Sequence, residues 1–197
     1  MFGPVLRGEL VTLRPPDESD PERFVAWLAD TEVTRYLKRL FAVALEPERE
    51  WFKSTGESKT IVYWMIEAEG RAIGATGIHG IDWVSAHAST GTVIGDKACW
   101  GKGYGSEAMR LRTAYAFREL NLHKLTSSAF MENERSKRAL QRAGYRECGV
   151  EREHLWRDGR WHDHWLCEIL RAQWELPDDA SGDPRYPTDG GDRAVGV

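Results

Sequence analysis

The sequence lacks the features that mark several classes of protein. Its 197 residues include three cysteines, an odd number that forms no CxxC pair: Cys99, Cys148 and Cys167. This pattern disfavours a disulfide framework or structural zinc and favours a reduced compartment. No apolar run approaches the roughly 18–20 residues of a membrane-spanning helix, and the N-terminal segment has no signal-peptide stretch. We therefore expect a cytoplasmic protein with no membrane segment.

A surplus of basic residues is also missing. The chain has 27 Lys and Arg against 31 Asp and Glu, a formal net charge of −4. Nucleic-acid-binding proteins usually carry a basic surplus, so we expect no nucleic-acid partner. From Pro177 onward there are five acids, two arginines, three prolines and four glycines. We predict a disordered acidic tail over 177–197 and a folded domain over 1–176.

Hydrophobic periodicity and turn residues predict the elements of this domain. Helices are expected at 20–28, from about 46 through 52, at 106–119 and at 133–143, and strands at 6–13, 61–66, 71–79, 90–94, 124–130, 145–154 and 161–170. The helix at 106–119 is expected to bury Ala108, Leu111, Ala114 and Tyr115. Because the strands and helices do not alternate strictly, the pattern favours a mixed sheet in a single α/β domain.

The segment over 92–108 leads a predicted strand through a glycine-rich turn into a helix. Glycines at 101, 103 and 105 allow successive backbone N–H groups to converge, and a helix start adds free donors and a positive dipole. This combination predicts a cradle for a diphosphate. A Walker A loop is excluded because Lys102 lies between two glycines, and a dinucleotide fingerprint is excluded because Ser106 occupies its third glycine position. An ordinary strand-to-helix loop is the alternative.

A second cluster, Asn133-Glu134-Arg135-Ser136, stands at the start of the next predicted helix. In the plainest interpretation Asn133 is an N-cap and Ser136 a first-turn residue. Helical spacing aligns Arg135, Arg138 and Arg142 on one face. This stripe either faces solvent or meets a phosphate.

Together these motifs resemble the GNAT superfamily of acyl-CoA N-acyltransferases, and within it the RimJ/RimL-type branch and its polyamine-acetylating relatives. The signature R/Q-x-x-G-x-G/A is matched by residues 100–105, except that Trp100 replaces Arg or Gln. Further matches in order and spacing are residues 106–108, 121–125, 133–136, 143–145 and 158–163, so that the resemblance spans roughly 6–172. It implies a single-domain α/β fold with a mixed, mostly antiparallel sheet of about six or seven strands and about four helices. The fourth strand is expected to splay from the fifth.

The resemblance also implies direct transfer of an acetyl group from acetyl-CoA to an amine. The backbone of the glycine loop would hold the CoA diphosphate, Asn133 the pantetheine arm, and the N–H groups near the end of the fourth strand the thioester carbonyl. Many relatives carry a tyrosine seven residues after the asparagine, where this chain has Leu140, so Ser136 is the candidate partner of the leaving thiolate. The expected cofactor-binding residues are Ile94, Gly95, Lys102, Gly103, Tyr104, Gly105, Ser106, Asn133 and Arg138.

On the acceptor side, relatives often carry an acid at the position of Ser89. His79 and Asp82 are possible bases by position or polar strand-end residues, and Asp82 and Trp83 are the candidate substrate contacts. The resemblance implies an acceptor such as a protein N-terminus, a polyamine or an amino sugar, and it suggests a possible homodimer. A non-catalytic acyl-CoA sensor or interaction module is the alternative.

Metal binding is the other chemistry that the sequence raises. His162, His164 and Cys167 lie close together, but His162 and His164 share one strand face while Cys167 points to the other. A set of closely spaced zinc ligands is missing. We therefore expect no metal.

Overall fold

The computed structural model describes residues 1–174, so the predicted tail over 177–197 lies outside the described residues. Eight strands are present: β1 (Leu6–Arg7), β2 (Thr12–Arg14), β3 (Val62–Ala68), β4 (Arg71–Asp82), β5 (His87–Ile94), β6 (Lys124–Phe130), β7 (Arg146–Arg157) and β8 (Arg160–Leu170). Five α-helices accompany them: α1 (Asp20–Ala29), α2 (Thr31–Thr34), α3 (Leu45–Glu57), α4 (Tyr104–Arg118) and α5 (Glu134–Arg142).

The strands form one sheet in the order β1-β2-β3-β4-β5-β6-β8-β7. Neighbouring strands are antiparallel except for β5 and β6, which pair in parallel only where residues 87–89 lie beside residues 124–126. Beyond that point residues 90–94 diverge from β6 and leave a V-shaped gap. The mixed, mostly antiparallel sheet and the splay between the fourth and fifth expected strands, which are β5 and β6, are therefore confirmed.

The strand count exceeds the expectation because the segment 6–13 is not one strand. It forms a hairpin of β1 and β2, closed by a 2.8 Å hydrogen bond from the Gly8 N–H to the Val11 carbonyl. The buried Glu107 carboxylate, at the start of α4, accepts three consecutive backbone N–H groups of this turn at 2.7–3.1 Å, from Glu9, Leu10 and Val11. A long-range contact that local periodicity cannot show thus bends the strand.

The core lies on both faces of the sheet. One cluster, which includes Trp64, Ile73 and Phe117, packs between the sheet and α4. The other, which includes Phe24, Phe52 and Tyr63, packs under α1 and α3. Adjacent residues of β3 therefore point into opposite clusters, as the pleat of a strand requires.

The expected buried stripe of α4 is wrong in part. Ala108 is fully buried, but Leu111, Ala114 and Tyr115 are only half-buried. The buried face contains Met109, Ala116 and Phe117 and also two charged residues, Glu107 and Arg112. A hydrophobic period could not select that face, because charged residues occupy two of its positions.

Among the described helices, none combines the length and the apolar character that are required to cross a membrane.

Candidate active site

A cleft of about 1280 Å³ opens where β5 and β6 diverge. Its walls come from the edge of β5, the start of α4, the inner face of α5, and α1 with the segment after α2. The V-shaped gap removes hydrogen-bond partners from one edge of β5, so the cleft contains both apolar surface and exposed backbone groups. Such a mixture is typical of a ligand site.

The glycine-rich turn forms one end of this cleft. Gly101 and Gly103 have φ angles of 80° and 88°, in the left-handed region that favours glycine. Gly103 is the N-cap residue of α4, and Tyr104, Gly105 and Ser106 in the first turn line the cleft. The first N–H groups of a helix have no intrahelical acceptor, so this turn presents donors and a positive dipole to the cleft.

The side chain of Lys102 turns away from the cleft. Its Nζ lies 3.0 Å from Glu69, which also accepts a 2.7 Å hydrogen bond from the Tyr104 hydroxyl. These hydrogen bonds lower the pKa of Glu69. The pair links the glycine turn to the β3–β4 turn and directs the Lys102 side chain toward Glu69 rather than into the cleft.

The edge of β5 carries one of the two backbone donors expected there. The Gly95 N–H donates to the Ile73 carbonyl at 2.9 Å and is therefore already used within the sheet. Because N–H groups alternate between the edges of a strand, the Ile94 N–H points to the open edge. The Ile94 carbonyl points the same way and accepts a 2.8 Å hydrogen bond from Trp100 Nε1. Of the two expected donors, the Gly95 N–H is therefore used within the sheet and the Ile94 N–H lies at the open edge.

Helix α5 contributes the opposite wall. Asn133 is its N-cap, and its Oδ1 accepts a 3.1 Å hydrogen bond from the Ser136 N–H, so the plain interpretation of this motif is confirmed. Asn133, Ser136 and Leu140 all line the cleft. Arg138 and Arg142 line it too, and Arg135 stacks 4.7 Å from the ring centroid of Trp100. Trp100 thus links α5 to β5, because its ring contacts Arg135 and its Nε1 donates to the Ile94 carbonyl.

His79 is the titratable side chain at the apex of the V. It pairs across the sheet with Ser89, the last residue of β5 that pairs with β6, and its ring lies 6.2 Å from that of Tyr63. Burial lowers the pKa of His79, and the positive charge of Arg112 lowers it further. The imidazole is therefore neutral near pH 7 and able to accept a proton.

Arg112 is a cleft residue that the sequence pattern did not single out. It is 1% exposed, and its guanidinium donates to the Thr76 hydroxyl at 2.8 Å, the Thr92 hydroxyl at 2.9 Å, the Gly91 carbonyl at 3.0 Å and the Tyr145 hydroxyl at 3.3 Å. Its Nε has no hydrogen-bond partner among the described residues. A cation thus lies beneath the cleft with only neutral acceptors around it. The sequence pattern could not indicate this burial, because an arginine in a helix-forming segment is ordinarily expected on the exposed face.

The expected substrate contacts Asp82 and Trp83 do not line the cleft. They lie at the tip of the β4–β5 hairpin, at the closed end of the V, whereas the gap opens toward Ile94. Asp82 accepts the N–H groups of Val84 and Ser85 at 2.8 and 2.9 Å, and Trp83, which is 49% exposed, donates to the Lys59 carbonyl. Both residues make contacts within or near the turn, and their role as substrate contacts stays a prediction.

The histidine-rich strand β8 divides into two sets of contacts. His162 uses both ring nitrogens, one toward Glu132 at 2.8 Å and one toward the Arg157 carbonyl at 3.0 Å. His164 lies 3.1 Å from Glu151 and stacks on His154, and these three side chains are the described group whose ligand atoms fall within 4.8 Å of one another. Glu151 already accepts the His164 hydrogen bond.

Comparisons with known proteins agree with this geometry. Residues 11–146 match the family described as acetyltransferase (GNAT) domain. The chain is 27% identical over 175 residues to the uncharacterized N-acetyltransferase YoaA of Bacillus subtilis, covering 86% of this chain and 98% of that protein. It is 40% identical over 84 residues to the probable N-acetyltransferase YjcK of the same organism, over 43% of this chain and 44% of that protein.

A solved structure shares the fold. A spermidine N-acetyltransferase from Vibrio cholerae, in complex with CoA and spermine, superimposes with a TM-score of 0.79 at 20% identity, covering 84% of this chain and 98% of that one. The family match extends over more than half of the sequence and includes the glycine turn, the open edge of β5 and the start of α5. The chain therefore belongs to the GNAT acetyltransferase family.

Proposed function

We propose that this acetyltransferase moves the acetyl group of acetyl-CoA directly to a primary amine. The observation that carries the proposal is the continuity of the cleft, in which the open β5 edge leads straight to the start of α4. The donor set fits a CoA molecule, since helix N-terminal N–H groups suit a diphosphate and an unpaired strand edge suits an amide-containing arm. Arg138 and Arg142 add positive charge on the α5 wall.

The roles of the chain's own residues follow from their positions. Acetyl-CoA supplies the activated acetyl group as a thioester. The Ile94 N–H is the donor for negative charge that develops on the acetyl oxygen, a type of contact worth roughly 3–4 kcal/mol in other acyl-transfer enzymes. His79 takes the proton that the amine loses as its nitrogen bonds to the acetyl carbon. Ser136 donates a hydrogen bond to the thiolate that leaves when the carbon–sulfur bond breaks.

Release of free CoA, detected with a thiol-reactive dye, tests the proposal. Acetyl-CoA is offered with peptides bearing free N-termini, with polyamines and with aminoglycosides. We expect turnover of one amine class and a drop of about 10-fold or more in kcat for Ser136→Ala and His79→Asn, with the affinity for acetyl-CoA retained. His87→Asn is the matched control, because His87 is an exposed histidine at the closed end of β5.

The same assay separates the enzyme from a sensor. The absence of the family's tyrosine, where the chain has Leu140, is the feature that favours a non-catalytic acyl-CoA-binding module. Binding of acetyl-CoA without turnover of any amine would support that module and contradict the proposal. Failure of acetyl-CoA to bind would contradict both.

A further inference from the structure

The part of the cleft under α1 and α3 is built from aromatic rings. Phe24, Trp51 and Tyr63 all line it, with ring centroids 5.1 Å apart for Trp51 and Tyr63, 6.3 Å for Phe24 and Tyr63, and 6.5 Å for Phe24 and Trp51. Where such rings reach the cleft they offer apolar surface to the carbon body of a ligand. We name this group of three residues the aromatic box.

One carboxylate is buried beside the aromatic box. Glu48 on α3 is 2% exposed and lines the same part of the cleft. Burial of a carboxylate is costly unless a cation compensates it, and burial accordingly raises the pKa of Glu48 while the charge of Arg39 opposes that rise. Glu48 is therefore a site of unfavourable negative charge that a cation would relieve.

The counter-ion that Glu48 now has comes from a surface loop. Arg39 lies between α2 and α3, its side chain is 41% exposed, and its Nη1 makes a 3.3 Å contact with the Glu48 carboxylate. This contact is long and single, and the Arg39 side chain is largely exposed, so the guanidinium can move into solvent when another cation takes its place beside Glu48. A substrate ammonium could replace Arg39 with no change in the number of buried charges.

The other carboxylates that line the described cleft already have cationic partners. Glu32 lies 3.0 Å from Lys97, Glu134 lies 2.8 Å from Lys137, and Glu132 lies 3.4 Å from Arg160. The mouth above the aromatic box instead carries three exposed cations, Arg35, Lys38 and Arg39. An acceptor with several ammonium groups would bring its remaining charges against this positive rim, where like charges repel.

We propose that the aromatic box and Glu48 form a subsite for a small primary amine with a single ammonium and an aromatic or apolar body. This inference rests on the proposed acetylation and names its acceptor class. Glu48 attracts the incoming ammonium, whose position Arg39 occupies in the free protein, and the three rings contact the carbon body when the nitrogen moves on to His79. The edge-on contact of Tyr63 with His79 joins this subsite to the apex of the V.

Two probe amines test the subsite. 2-Phenylethylamine has one ammonium group and an aromatic ring, whereas spermidine has several ammonium groups and no ring. We expect kcat/KM for 2-phenylethylamine to exceed that for spermidine by about 10-fold or more. Glu48→Gln should raise KM for 2-phenylethylamine by about 10- to 100-fold, the range for a lost charged hydrogen bond, and leave KM for acetyl-CoA unchanged. Glu46→Gln is the matched control, since Glu46 is on the same helix and 76% exposed.

Arg39→Ala keeps the inference open to refutation if Glu48→Gln does not fold. Removal of the competing guanidinium should lower KM for 2-phenylethylamine, whereas a purely structural Glu48–Arg39 pair would leave KM unchanged or raise it. Preference for spermidine, equal effects of Glu48→Gln and Glu46→Gln, or an unchanged or higher KM in Arg39→Ala would each overturn the subsite.

A failure of the proposed function gives a different pattern. If acetyl-CoA raises the melting temperature but no amine is turned over, saturation-transfer NMR of 2-phenylethylamine decides the subsite alone. Binding to the wild type that is lost in Glu48→Gln would support the subsite without catalysis. Equal signals for both proteins, or none for either, would overturn it.

Discussion

Two of the three glycines of the glycine turn, Gly103 and Gly105, should respond differently to the same substitution. At Gly103 the space is sufficient, because an added Cβ would lie 3.5 Å from Leu10, but φ is 88°. An L-residue in the left-handed region costs roughly 1–2 kcal/mol. For a chain of this size that corresponds to a fall of about 2–8 °C in the melting temperature.

Gly105 makes the comparison because its φ is not positive and an added Cβ would meet Ile94 at an ordinary 3.6 Å. Alanine favours a helix over glycine by up to about 1 kcal/mol, so Gly105→Ala should be neutral or slightly stabilising. Gly103→Ala should also weaken CoA binding by about 10-fold, because a shifted first turn misdirects N–H donors that would contact a charged group.

Thermal unfolding and calorimetric titration with CoA measure both quantities. Equal melting temperatures and equal CoA affinities for Gly103→Ala and the wild type would refute the argument from backbone strain. A loss in Gly105→Ala as large as that in Gly103→Ala would show that volume, rather than φ, limits this turn.

Three further predictions concern the surroundings of the cleft. Gly95→Ala should destabilise the protein by about 1–3 kcal/mol in urea unfolding, since the new Cβ would lie 2.1 Å from the Trp27 ring; an unchanged midpoint would mean that the ring moves freely. Arg112→Met should change the free energy of unfolding by no more than about 1 kcal/mol, because Thr76 and Thr92 retain their mutual 2.8 Å hydrogen bond; a loss above about 3 kcal/mol would contradict that expectation. The same substitution should raise the pKa of His79 in an NMR titration. Because the pKa of His79 is lowered in the folded protein, the unfolded chain binds the proton more readily, and the wild type loses stability as the pH falls below about 6.5. This loss should be smaller in His79→Asn, and an equal pH dependence of stability in the two proteins would contradict the argument.

Much of the fold could be predicted from local patterns. Turn residues such as Asp158 and Gly159 marked the β7–β8 hairpin, and the strand–glycine–helix segment marked the start of α4 correctly to within two residues. The motif at Asn133 predicted its N-cap. These features depend on residues close together in the chain, which is why a sequence pattern can report them.

The errors share a different origin, which is contact between distant residues. The first strand bends because Glu107 binds its backbone from nearly one hundred residues away. The expected acceptor contacts Asp82 and Trp83 lie at the end of β4 away from the open gap, and which end of that strand borders the gap depends on where β6 stops pairing with β5. Local sequence carries no information about that point.

The buried charges link these errors to the chemistry. Glu107 and Arg112 are five residues apart on α4. Both occupy buried positions that an amphipathic helix would normally give to apolar side chains. Glu107 binds the backbone beside the glycine turn, and Arg112 lies under the β5 edge and lowers the pKa of His79. Glu48 breaks the pattern of α3 in the same way, on the opposite face of the sheet. Because a buried charge costs stability, the two that line the cleft, Arg112 and Glu48, mark positions where its surface departs from plain packing.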